Sequence, residues 1–388
     1  GTMIRSLWQL YTKIYGEVTR MDKLLYNKDV LVAEIDGLNH FHWICKRRAP
    51  LYLQITENLS VWLQSRCVDF QRHNAKLLKR ALGLSAMNEE EVVLEVNAAT
   101  ITDTYWIKRE DSGLTWEQVD FQKAAFSGLA LAGGNSHYRA AEKAKAKKTP
   151  ELTNTGSFEK CWRMKKGEWW LYKEGNSNEL FSELFAYKLG QSLGFNMAEY
   201  TLGGYIKPGT RCILSRDFTY GHKYNFEPIA ALVGSRPEDY QRTYQKIYAI
   251  SPDAASDYVS LLFMDALIFN TDRHEYNFGL LTNPDTGEIV GLAPNFDNNV
   301  ALISNGYPPS PERQTDDLIK DFNELLDSGV EWRGYSERKE LPKIDERMIK
   351  DVIKEVGMKV KETFITEFIM SSYRAMGWGK SKAVSDDR

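Results

Sequence analysis

Apolar positions fall into three stretches of different rhythm. Between Leu24 and Asp36 two apolar runs flank Asn27-Lys28-Asp29, which predicts a β-hairpin. From Leu59 to Leu82 apolar residues, among them Val61, Leu63, Leu77, Leu78 and Leu82, recur near helical spacing, so helices are expected there, stopped by Gly83. Met87 to Glu91 reads as an acidic loop, Val92 to Ile107 as extended chain ending in Tyr105-Trp106-Ile107, and Trp116 to Phe121 follows a Ser-Gly turn. These elements make residues 1–125 a small N-terminal α/β domain. His40, His42 and His73 lie in it without a second ligand at metal-binding spacing.

The second stretch, 126–216, opens with Ser127-Gly128 and Gly133-Gly134-Asn135, followed by a basic run to Lys148 that predicts a solvated helix face or linker. Lys160 to Met164 and Glu168 to Tyr172 form a strand pair about Lys165-Lys166-Gly167. Asn178 to Leu189 is a helix with Leu180, Leu184 and Tyr187 on one stripe. Tyr200–Ile206 and Arg211–Phe218 are two further strands. In the third stretch, 217–388, residues 219–250 carry little signal. Ala254 to Phe269 is a strongly apolar helix with Tyr258, Leu261, Leu262, Ala266 and Phe269 facing a core. A strand over Glu288–Ala293 follows, then helices over Thr315–Leu326, Asp345–Glu355 and Lys359–Tyr373, with a frayed end from Lys380.

At 388 residues, 43% hydrophobic, the chain is long enough for two or three domains with buried cores. A net charge of −3 offers no global basic field for nucleic acid or anionic membrane. The chain shows no transmembrane span and no signal-peptide order at its start, so a soluble, cytoplasmic protein without membrane or direct nucleic-acid contact is expected. Gly1-Thr2 ahead of Met3 reads as an expression remnant. Cys45, Cys67, Cys161 and Cys212 are scattered without metal spacing, as in a reducing compartment.

The chemistry concentrates after the apolar helix, in Asn270-Thr271-Asp272-Arg273-His274-Glu275-Tyr276-Asn277. Phosphoryl transfer needs positioning more than covalent help: a carboxylate facing the attacking hydroxyl, and an amide oxygen and second carboxylate holding Mg²⁺ on the phosphates. Asp272 and Asn277, five residues apart as in the catalytic run of protein kinases, fit the first two roles. Asp297, in Leu292-Ala293-Pro294-Asn295-Phe296-Asp297, follows a strand and a turn signal and fits the third. Upstream, Thr155-Gly156-Ser157 at a strand mouth suits a backbone cradle for phosphate oxygens. The strand Trp169–Lys173 delivers Lys173 toward those phosphates, and Glu179 or Glu183, one helical turn apart, could fix its ammonium. Leu214, Ser215 and Arg216 end a strand where a kinase hinge would hold adenine.

Assembled in this order, the motifs resemble those of the HipA-like serine/threonine kinases, bacterial proteins of two-lobed kinase fold best known from toxin–antitoxin pairs. The resemblance spans most of residues 126–302. It implies an α+β, two-lobed, protein-kinase-like fold, with 126–216 as the nucleotide-binding lobe and 217–388 as the mainly helical catalytic lobe. It implies ATP and Mg²⁺ as cofactors, Asp272 as base, Asn277 and Asp297 as metal ligands, and Lys173 paired with Glu183. His274 matches a loop His of the family, as a hydrogen-bonded scaffold or in proton transfer. Ser157, with Thr153 and Thr155 as alternatives, is the nearest match to an autophosphorylated loop serine. The implied partners are a protein bearing a Ser or Thr acceptor and an antitoxin-like or regulatory protein, although residues 1–125 do not match the toxin's own N-terminal region. A nucleotide-binding pseudokinase, an AMP transferase and a small-molecule kinase are the alternatives. Asp-Arg-His-x-x-Asn also looks like the lipid-kinase loop, but no amphipathic basic helix accompanies it.

Overall fold

The computed structural model describes residues 21–123, 131, 149–207, 210–234, 239–313, 315–333 and 335–385. The glycine pairs and basic run expected between 126 and 148 lie outside the described residues, Leu131 apart. Two compact units divide the chain: Gly1–Leu171 with Thr219–Glu227 and Thr282–Glu288, and Tyr172–Phe218 with Pro228–Leu281 and Ile289–Arg388.

The first unit is built on an antiparallel sheet of order β3-β2-β1-β4, from β1 (Met21–Asn27), β2 (Val30–Asp36), β3 (Phe41–Trp43) and β4 (Tyr105–Arg109). The expected hairpin is β1–β2, closed at Asn27↔Val30 with Lys28 at φ +49°. Leu25, Val32, Ile35 and Trp106 on its strands join Leu53, Leu63, Leu78 and Val92 from the helices in one core. Full burial of each such side chain contributes about 1.5–3 kcal/mol. The long helical stretch is two helices, Leu59–Ser65 and His73–Ala81, the second followed by Gly83 at φ +74°.

Two expectations fail here. Residues 87–104 are not loop and strand: Glu89–Leu94 is a helix, because Asn88 and Glu91 close a capping box across its first turn. Only Tyr105–Arg109 of the extended stretch is strand. Trp116–Val119 is likewise one helical turn, started by Thr115 and Gln118. Several buried polar side chains of this unit are paired. Arg66 is bidentate to Asp103 at 2.8 Å, and Tyr105 donates to Glu227 at 2.6 Å.

Strand β5 (Lys160–Lys165) turns at Lys166 and Gly167 into β6 (Glu168–Gly175), which runs into the second unit at Tyr172. There Asn176 and Glu179 form a capping box that starts the helix Ser177–Ser192, buried over most of Leu180–Gly190. An antiparallel pair follows, β7 (Tyr200–Lys207) and β8 (Thr210–Arg216). Residues 240–250, where the sequence was silent, form a helix capped by Asp239. Pro252–Ile268 is the expected apolar helix, capped by Ser251 and buried throughout its second half. Phe269 departs from expectation: it takes the left-handed conformation, φ +56°, that ends this helix and is 38% exposed, with the Arg313 guanidinium over its ring. Helices Asp317–Asp327, Glu346–Val356 and Glu362–Ala375 follow, and Lys380–Ser385 is helical rather than frayed. No helix among the described residues is long and apolar enough to cross a membrane.

Candidate active site

The loop after Pro252–Ile268 is fastened by Arg273. Its guanidinium is bidentate to Asp265 on that helix, both contacts at 2.9 Å, and the two side chains are 6% and 2% exposed. The same group donates to the carbonyls of Asn277 and Phe296 and to the Oδ1 atoms of Asn295 and Asn298, at 2.8–3.0 Å. One side chain thus locks loop 270–277 to loop 295–298. A planar fork of donors suits this; a lysine could satisfy only part of it. Leu302 N–H to Ile268 O, at 2.8 Å, joins the second loop to the helix end as well.

Within loop 270–277, Asn277 Nδ2 donates to Asp272 O at 2.6 Å and its Oδ1 accepts the His274 N–H at 2.9 Å. The five-residue spacing therefore makes a closed turn that presents Asp272, half-buried, from a fixed backbone. His274 Nδ1 accepts the Tyr276 N–H at 3.2 Å. That places its proton on Nε2 and gives the ring a scaffold contact.

Lys173, on the end of β6, is buried against three side chains of its own unit. Its ammonium donates to Asp297 Oδ1 and, at 2.7 Å, to Asn299 Oδ1, with Glu183 Oε2 at 3.8 Å. Burial opposes the charge, yet the Asp297 and Glu183 carboxylates outweigh it and hold Lys173 above its ordinary value. Glu183, wholly buried, also accepts the Asn298 N–H at 2.8 Å. Glu179 serves the helix cap instead, accepting the Asn176 N–H. Asp297 itself has φ +64°, a conformation Asp tolerates better than most residues, and its N–H is received by the Tyr200 hydroxyl at 3.1 Å. Burial and the Glu183 and Asp297 carboxylates hold the Tyr200 hydroxyl well above its ordinary value, so it stays protonated.

Thr155, Gly156 and Ser157 belong to the first unit and are exposed, with Gly156 at φ +96°. The loop's base is fixed by Arg72, which donates to Asn154 O at 2.8 Å and Lys160 O at 3.2 Å. Glu151 beneath it accepts from Trp162 N–H and Asn154 Nδ2, and burial pushes its carboxyl up to about 7. On β8, Leu214 and Ser215 are buried and Arg216 is half-buried, its guanidinium 3.7 Å from Glu199.

Among the described residues no three His, Cys, Asp or Glu side chains cluster as a metal cage. Asp297 and Asn277 supply oxygen donors of the kind Mg²⁺ takes alongside substrate phosphates, since that ion uses one or two protein ligands rather than a cage. Asn277 Oδ1 keeps one lone pair beyond its bond to His274. The donor set fits.

Residues 135–368 match the HipA-like C-terminal domain. The chain belongs to the HipA-like family. Its fold is accordingly α+β and kinase-like, with a small N-terminal sheet domain. HipA of the Shewanella oneidensis MR-1 toxin–antitoxin system, solved with HipB and its operator DNA, shares the fold: TM-score 0.57, 13% identity, 94% of this chain and 99% of that one. The Helicobacter pylori proinflammatory kinase CtkA overlaps at a TM-score of 0.43 and 17% identity, covering 58% of this chain and 94% of that one. No curated protein matches.

In this HipA-like chain the sequence reading overlooked Arg273, Asp265, Tyr200, Asn298 and Asn299. Arg273 had a signal, a cation beside the Asp of a loop following an apolar helix whose last acid, Asp265, lies two turns upstream. The others had none, because only tertiary contact gives them partners.

Proposed function

We propose that the protein is an ATP- and Mg²⁺-dependent kinase that transfers the γ-phosphate to a Ser or Thr of a protein. The observation that carries this reading is the buried pair Lys173–Glu183 with the half-buried Asp297, held beside a loop whose turn presents Asp272. In this reading Asp272 accepts the hydroxyl proton, Lys173 orients the phosphates, and Glu183 keeps its ammonium charged and in place. Asp297 and Asn277 would hold Mg²⁺, which neutralises phosphate charge when bound. Thr155–Ser157 would cradle phosphate through backbone N–H groups, Leu214–Arg216 would face adenine, and His274 would brace the loop. Residues 126–216 and 217–388 would serve as nucleotide and catalytic lobes. Ser157 is the candidate acceptor within the chain itself. HipA of Shewanella, solved with HipB, supports an antitoxin-like protein partner. Because that complex also contains operator DNA, the expectation of no nucleic-acid contact is not carried over to this chain.

A second reading, a nucleotide-binding regulatory module, draws on Asn277, whose amide bonds its own loop at both ends and keeps a single Oδ1 lone pair for a metal. One experiment separates the two. After incubation with ATP and Mg²⁺, intact-mass and phosphopeptide analysis is made beside Asp272→Asn, first alone and then with a lysate of protein substrates. The kinase reading expects phosphate from the wild type and a loss of about a hundredfold or more in Asp272→Asn, with nucleotide binding retained. Equal turnover removes Asp272 as base. An AMP adduct in place of phosphate replaces the kinase reading with nucleotidyl transfer.

A further inference from the structure

We propose that Asn299 is a positioning residue for Lys173, an inference that rests on reading the site as nucleotide-binding. Asn299 lies two residues beyond Asp297, is 4% exposed, and receives the Lys173 ammonium on Oδ1 at 2.7 Å. An ammonium can only donate, so the contact fixes which way the amide points. Its Nδ2 is thereby turned away and, among the described residues, meets no acceptor. Asn295 and Asn298 show the same half-use, but their carbonyl oxygens serve Arg273. Burying a donor without a partner works against stability, so the place of Asn299 is not explained by folding alone.

Among the described residues the ammonium meets Asp297, Asn299 and, further off, Glu183. Two are anions. An ammonium enclosed by anions alone has its charge cancelled and gains little from a phosphate. A neutral carbonyl directs the same ammonium while leaving its charge to act. Asp297 is the residue that the proposed function gives to the metal, so its carboxylate is divided between that ion and Lys173. Asn299, on the same loop and bonded to the same nitrogen, has Lys173 as the partner of its Oδ1.

The test is a double-mutant cycle on the full chain, reading the Kd of Mg²⁺–ATP by fluorescence titration and the Tm of every variant. Asn299→Ala is expected to weaken binding roughly tenfold, as loss of a charge-assisted hydrogen bond does. In a Lys173→Met background the same change should have no further effect. Asn299→Asp, nearly isosteric, should weaken binding at least as much while keeping the wild-type Tm, because it adds a third carboxylate around Lys173. Equal weakening in both backgrounds, or none in either, overturns the proposal. Should Asn299→Ala fail to fold, Asn299→Asp completes the same cycle. A wild-type chain that does not bind Mg²⁺–ATP ends the nucleotide reading and this inference with it; wild-type binding with additive variants ends only the role of Asn299.

Discussion

Replacing Arg273 by Met should be among the most damaging single changes in the second unit. The substitution keeps much of the side-chain volume but removes donors to Asp265, Asn277, Phe296, Asn295 and Asn298. Asp265, 1% exposed, would be left with the Asn270 amide as its remaining side-chain donor. Stranding a buried charge in this way costs about 3–5 kcal/mol. At about 2–4 °C per kcal/mol for a unit of this size, the Tm should fall by roughly 6–20 °C. Urea unfolding followed by tryptophan fluorescence, with thermal melts beside it, measures both. The second arm is Arg273→Met combined with Asp265→Leu, which removes the stranded carboxylate. It should recover about 2 kcal/mol or more relative to the single change. A single-mutant loss below about 1 kcal/mol, or a double mutant equal to the sum of its parts, would refute the claim that this pair locks the loops.

Asp297→Ala should abolish the Mg²⁺-dependent part of nucleotide stabilisation, which for a ligand at about a hundred times its Kd is roughly 3 kcal/mol; an unchanged melting shift with ATP and Mg²⁺ counts against the metal role. Burial pushes the Glu227 carboxyl up to about 8 from an ordinary 4.5. The folded chain therefore keeps a proton that the unfolded chain has released. Stability from this group is complete below about pH 4.5 and falls by about 1.4 kcal/mol per pH unit until pH 8. Glu151 adds a slope of the same sign up to about 7. Glu227→Gln should flatten the urea-midpoint profile between those limits and be the more stable protein at pH 9, and parallel profiles would show that Glu227 ionises freely.

Much of the site was legible because its local parts follow local rules. The Asp272–Asn277 spacing is the spacing of a turn closed by an amide, and the helix beneath it is apolar enough to be recognised unaided. Choosing Glu183 over Glu179 was harder from residues alone, since both lie on one face; the capping box that consumes Glu179 is visible as Asn176-x-x-Glu179. The same signature at Asn88-x-x-Glu91 marks a helix start, and it prevails over the β-branched Val92-Val93 in the residues that follow. Periodicity alone places Phe269 in the core, one residue past the point where the helix ends in a left-handed residue. Asn298, Asn299 and Tyr200 are polar residues in polar or mixed surroundings in the sequence, and only the approach of Lys173 and Glu183 from over a hundred positions upstream, or from the neighbouring helix, sets them apart.

The ammonium of Lys173 and the carboxylate of Asp297 are 124 positions apart. At about 5–20 residues per second, a ribosome needs roughly 6–25 seconds to travel from one to the other. During that interval the lysine has been made but the acid that completes its surroundings does not yet exist. The two halves of the site thus have separate birth times, and a chain cut short before residue 297 holds an unfinished site however well its earlier segments have folded. Synthesis through Asp297 is a precondition that the order of the residues writes into this protein.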